Sequence, residues 1–168
     1  VHAPLPVPEM PPPPREAAPP VADRQAAPLF DALFDAPPPS RSFRALDDSN
    51  TSIPPDTHGA VGPNHLMVVL NTQFVVQNRT GGTVFGPKPL NLGIAPANAF
   101  WATASPNGTG AFDPRVVYDP FADRWVVVSC DEAASANSRL LVGVSKTGIP
   151  DLAASSWYQA AIDVDPGT

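Results

Sequence analysis

The sequence predicts an all-β protein, in which four-stranded antiparallel meanders stack as propeller-like blades in an incomplete ring behind an extended, proline-rich N-terminal arm. Three observations lead there. Prolines crowd the start of the chain, with 13 of the 24 lying between Pro4 and Pro39. From Ile53 onward, short β-branched and apolar runs alternate with clusters of Gly, Pro, Asn and Asp, the texture of strands and turns. Two groups of such strands begin about fifty residues apart, at His65 and at Arg115, and propeller blades of four short strands repeat at roughly 40–50 residues.

The arm is assigned to residues 1–52. Proline fixes φ and lacks an amide donor, so Pro11-Pro12-Pro13-Pro14 and its neighbours propagate neither helix nor sheet. An extended polyproline spacer is the expected state. Within it, Leu29, Phe30, Leu33 and Phe34 form one apolar stripe at helical spacing, predicting a short amphipathic helix near 29–35. So short a helix is marginal alone and is expected to dock on the domain.

Residues 53–168 carry the blades, about two of them. Pro54 to Asn64 reads as turn throughout. Strands are predicted over His65–Leu70, Gln73–Gln77 and Thr83–Phe85, the last two joined by the hairpin connection Asn78-Arg79-Thr80-Gly81-Gly82. A long polar loop, 86–113, follows with Phe100-Trp101 embedded; loops of that length usually cover something or carry function. The second group comprises Arg115–Tyr118, Arg124–Ser129, Leu140–Ser145 and Trp157–Ile162. Each blade has two apolar faces and buries them only against neighbours. Rings of this kind need at least four blades, so further blades of the same parent chain are expected after Thr168. A small β-sandwich needs about seven strands, the number counted, so strand count leaves both architectures open.

Charge excludes one large class. The formal net charge is −6 and the only lysines are Lys88 and Lys146. No basic stripe is available to displace counterions from phosphate, so nucleic acid is not an expected partner. No run of 18 apolar residues exists, so no helical membrane span is expected. Cys130 is the only cysteine and reads as a small hydrophobe at a strand end. Val1-His2-Ala3 suits the small-residue end of a secretory signal, and sequons at Asn50, Asn78 and Asn107 fit surface turns. The expected location is outside the cell, secreted or on its surface.

The blocks Ile53-Pro-Pro-Asp-Thr-His-Gly-Ala-Val-Gly-Pro-Asn-His65 and Phe112-Asp-Pro-Arg-Val-Val-Tyr-Asp-Pro-Phe-Ala-Asp-Arg-Trp125 carry a resemblance, continued by Leu141 to Gly148 and Trp157-Tyr158. Over about residues 53–163 the chain resembles the N-terminal propeller-like region of large exported bacterial proteins. That resemblance implies secretion or surface display, further blades, and association with adhesion or carbohydrate-related modules. It implies no established activity and no catalytic residue. Tyr118-Asp119 to Trp125 is also similar to the tyrosine and tryptophan of kelch repeats, although Gly81-Gly82 stands far upstream of the tyrosine. A sialidase-type aspartate box is absent.

Candidate chemistry rests on few residues. Asp56 and Asp113 each precede the first strand of a meander, beside a proline, and equivalent positions in successive blades fall at one end of the ring. With Asn side chains and loop carbonyls they form a candidate calcium site, since Ca²⁺ takes six to eight oxygens. Their simpler role is to cap turns through backbone amides. His58 and His65 lie seven apart in a glycine-rich loop, which matches no zinc spacing. Asp119 and Asp123 flank a hairpin turn and read as turn formers, with Arg124 or Arg115 as an ion-pair partner. Trp125 and Trp157 read as core between blades. Phe100-Trp101 either closes over that core or forms a sugar-stacking platform, and is the candidate ligand-binding pair.

The expected function is an extracellular, non-catalytic binding or adhesion module for a glycan or protein. A part of a secreted polysaccharide-active hydrolase is the alternative, and a structural component of a surface layer or matrix is the third reading.

Overall fold

The computed structural model describes residues 38–48, 50, 52–90, 99–105 and 110–164. The proposed helix near 29–35 lies outside them. Two compact units divide the chain, residues 1–39 and residues 40–168, and the second holds every strand among the described residues.

Eight strands form two four-stranded antiparallel sheets, each a simple meander in sequence order. The first sheet comprises β1 (His58–Val61), β2 (His65–Val69), β3 (Gln73–Asn78) and β4 (Thr83–Pro89). The second comprises β5 (Phe112–Asp119), β6 (Arg124–Asp131), β7 (Arg139–Ser145) and β8 (Trp157–Asp163). The all-β expectation holds, with one strand more than the sequence reading counted. β1 was expected to be turn. His58-Gly59-Ala60-Val61 lies between proline and glycine signals, yet its ladder to β2 pairs His58 with Val69 and Val61 with Leu66. A neighbouring sheet edge rescues a segment whose local propensity is poor. β4 runs on through Pro87 and Pro89 because it is an outer strand, where a missing amide donor costs nothing in the ladder.

Alternation along β6 is complete. Trp125, Val127, Ser129 and Asp131 are buried while Arg124, Val126, Val128 and Cys130 are half-exposed. Side chains on a strand point alternately to opposite faces, so one face of this sheet is core and the other is open. The core face meets Met67, Val69, Phe74 and Val76 of the first sheet. Val116, Leu141 and Trp157 complete the second sheet's contribution. The far face of the first sheet is covered by its own chain. Gln73 and Gln77 donate through Nε2 to the carbonyls of Asp47 and Arg44, both at 3.1 Å, so residues 44–47 run antiparallel to β3 as a strap. Beneath it Leu70 and Val75 are buried.

Between the sheets stands the turn Phe100–Ala102, a single 3₁₀ turn. Phe100 is fully buried, with ring centroids 4.6 Å from Phe74, 4.7 Å from Trp101 and 5.0 Å from Trp157. Trp101 Nε1 donates to Ser129 Oγ at 3.1 Å, and Gln159 Nε2 donates to the Phe100 carbonyl at 2.8 Å. The polar end of this corner is tied as well. Ser105 Oγ donates to Asp131 Oδ2 at 2.6 Å, and Arg139 pairs with the same oxygen at 2.9 Å. Burying a Phe or Trp of this size contributes roughly 1.5–3 kcal/mol each. The pair therefore wedges the two sheets together.

Candidate functional site

Two places gather polar side chains from both sheets. The first is the corner just before β1 and at the start of β5. Asp56 and Asp113 hold the same unusual backbone state, φ 48° and φ 49°, a left-handed conformation that Asp tolerates better than most residues. In β5 this coincides with a break in the pairing register between Phe112 and Arg115, as at a β-bulge. Asn71, in the turn after β2, joins the two aspartates. Its Nδ2 donates to the Asp56 carboxylate and, at 3.1 Å, to the Pro54 carbonyl. Its Oδ1 accepts the Asp113 amide at 2.7 Å. Two residues on from Asp56 and three on from Asp113, His58 Nδ1 accepts the Val116 amide at 3.2 Å.

The two aspartates expected to share one end thus do so, on either side of Asn71. What the corner does locally is align the second sheet on the first through a backbone amide. Among the described residues no group of three or more His, Cys, Asp or Glu side chains is assembled. A calcium ion here would draw most of its oxygens from carbonyls and water.

The second place is the opposite end, where the turns of both sheets meet. A groove of about 300 Å³ is lined by Asn64 from the β1–β2 turn, His65 at the start of β2, Asp123 from the β5–β6 turn, and Thr147 from the segment after β7. Its buried floor is Trp125, whose Nε1 donates to the Gly148 carbonyl at 3.0 Å. Gly62 passes so close that a methyl there would stand 2.6 Å from the Trp125 ring. Glycine at that position lets the first sheet's turn lie on the indole.

The β5–β6 turn is rigidly made. Asp119 Oδ1 accepts the amides of Phe121 at 2.9 Å and Ala122 at 3.3 Å, the turn-forming role expected of it. Asp123 sits at φ 53° and accepts the Tyr118 hydroxyl at 2.7 Å. That hydrogen bond, then burial, then the charges of Asp123 and Asp119 hold the Tyr118 phenol above its ordinary value of 10.0. Arg124 donates to the carbonyls of Ala122 and Asp123, closing the turn from its far side. At the tip of this frame Phe121 is 99% exposed. Ile149, at the groove's edge, is 57% exposed.

Phe100 and Trp101 are not where a ligand platform needs them. Both are buried, at 0% and 1% exposure, because the core between the sheets is wide enough to take their rings and supplies Ser129 for the indole. They close over the core, the other of the two roles considered for them. Among the described residues the most exposed aromatic is Phe121, which the sequence reading treated as one residue of a turn. Its signal was a Phe inside a Pro-Phe-Ala-Asp turn, where no local packing partner exists. Trp125 and Trp157 are core, as expected.

No family model matches this chain, and no curated protein and no solved structure matches it.

Proposed function

We propose that this chain is an extracellular, non-catalytic propeller-type binding module whose turn end takes a glycan or protein ligand, a glycan by preference. The observation that carries the reading is the groove. Amide, imidazole, carboxylate and hydroxyl groups of Asn64, His65, Asp123 and Thr147 line it, and the turn that supplies Asp123 also carries Phe121, which is fully exposed. Sugars are recognised by that combination, with hydroxyls bonded to planar polar groups and an apolar ring face set against an aromatic. The connections spring from paired strands, and Asp119 and Tyr118 fix the turn that bears Phe121 and Asp123, so little ordering is needed on binding.

The propeller assignment is supported by two successive four-stranded meanders whose inner strands lie side by side and begin with aspartates in one backbone state. The extracellular assignment rests on the sequons and on the resemblance described above. A hydrolase reading wants two carboxylates of opposed environment at a defined separation. In the groove Asp123 is the lining carboxylate, and it accepts a phenol.

The test is binding of residues 1–168 to an array of soluble oligosaccharides, alongside Phe121→Ala and Asp123→Asn. Binding is expected for the unaltered chain and is lost in both variants. Phe121→Ala leaves the melting temperature unchanged, since an exposed side chain contributes within about 0.5 kcal/mol. Absence of binding to every oligosaccharide, or binding indifferent to both substitutions, defeats the reading.

A further inference from the structure

The two ends of the stacked sheets are finished differently. On the first sheet the far face carries the strap, with Gln73 and Gln77 bonded to it and Leu70 and Val75 sealed beneath. On the second sheet the corresponding far face carries no such strap among the described residues, only Lys146 Nζ set 5.1 Å over the Tyr158 ring, and it is apolar across all four strands. One row crosses it as Val117, Val126, Val144 and Tyr158, each paired with the next. The row beside it is Arg115, Val128, Val142 and Ala160. Val117 is 54% exposed and Tyr158 67% exposed. Apolar patches spanning a whole sheet mark interaction sites.

Superposing Asp56 on Asp113 identifies what such a face is built to meet. The matching row on the first sheet is Ala60, Met67, Val76 and Phe85, paired in the same order. Met67 and Val76 are fully buried, and what buries them is the second sheet with its Phe100-Trp101 wedge. His58 stands at the place of Arg115, and there it receives the Val116 amide of the neighbouring inner strand. The open face therefore repeats, position by position, a face already seen in use.

We propose that the open face of the second sheet is a docking surface for one further four-stranded sheet of the same construction. Its inner strand lies beside β5 as β5 lies beside β1, and an aromatic corner fills the space over Val126 and Val144. Arg115 has only donors where His58 accepts, so the incoming strand presents a carbonyl or carboxylate opposite it. Arg115 in the rows and Lys146 over Tyr158 are the cations of this face, so the partner face is apolar with acceptor oxygens opposite them. The inference rests on the reading of the two sheets as propeller blades.

Cys130, free and half-exposed beside Val128 on β6, supplies the probe. The experiment compares its alkylation rate in the Arg115→His chain with that in the same chain carrying a second copy of residues 90–164 at its C-terminus, the copy's own cysteine replaced by serine; histidine at 115 offers the copy's Val116 amide the acceptor that His58 offers in the first sheet. Docking is expected to slow alkylation by at least about tenfold, since a covered thiol reacts only on opening. Val144→Lys in the original sheet restores the faster rate in the extended chain and leaves the rate of the unextended chain unchanged. Equal rates in the two chains overturn the proposal whether or not the appended segment folds, because a sheet that docks is stabilised by docking. Protection that appears in the unextended chain as its concentration rises also overturns it, assigning the face to a second copy instead. Oligosaccharide binding at the turn end is read separately, so loss of one result leaves the other standing.

Discussion

Replacing Phe100 by alanine separates a core wedge from a surface platform. The side chain is wholly buried and meets three aromatic rings at 4.6, 4.7 and 5.0 Å. Truncating a buried Phe to Ala costs roughly 3–5 kcal/mol, transfer and cavity combined. The upper half of that range applies here, because each aromatic neighbour adds about 0.5–1.5 kcal/mol beyond area burial. A loss near 4 kcal/mol is a large part of the roughly 5–15 kcal/mol that holds an ordinary domain folded. In urea, with a slope of about 2 kcal/mol per molar, the midpoint falls by about 2 M. Phe100→Leu keeps most of the volume and is expected to lose under about 1.5 kcal/mol. Equilibrium unfolding followed by tryptophan fluorescence reads both. A loss below about 1 kcal/mol for Phe100→Ala would sink the argument, since that is what an exposed ring gives up.

The other expectations concern the two polar corners. Asn71→Ala strands the Asp113 amide and removes two donors from Asp56 and Pro54, a cost of about 3 kcal/mol in the same unfolding assay. Asn71→Asp keeps the acceptor but sets a carboxylate against Asp56, so its stability should recover on acidification where that of Asn71→Ala does not. Tyr118 is held above its ordinary 10.0 in the folded chain, so the stability it contributes is present below pH 10 and lost as pH climbs through the raised value. Tyrosinate absorbance should accordingly show Tyr118 ionising later than an unperturbed phenol, and Asp123→Asn should remove most of the delay.

Most of the strand framework was legible because it is written in period-two alternation, and β6 with its perfect in-and-out burial is the clearest case. β1 was not legible. Gly59 and the flanking Gly62-Pro63 carry turn signals, and only pairing with β2 and the proximity of β5 make the segment extended. The aspartates could be matched from their positions beside prolines, but the asparagine between them lies in a turn fifteen residues away from one and 42 from the other. No periodicity links such residues. For Phe100-Trp101 the sequence identified a large aromatic pair in polar surroundings without its direction, which depends on Phe74 and Trp157 from different sheets. Phe121 was passed over for the opposite reason, since nothing local marks a turn residue as bare.

The strap along β3 has a mechanical meaning. It is fastened through two glutamine side chains and by Phe43 lying against Gly81, and among the described residues no ladder of main-chain bonds ties it to the sheet edge. A pull from the direction of residue 38 meets these fastenings in turn, the Phe43 contact first and then the bonds from Gln77 and Gln73. Each can release alone, and the β1–β4 ladder is left whole when all have gone.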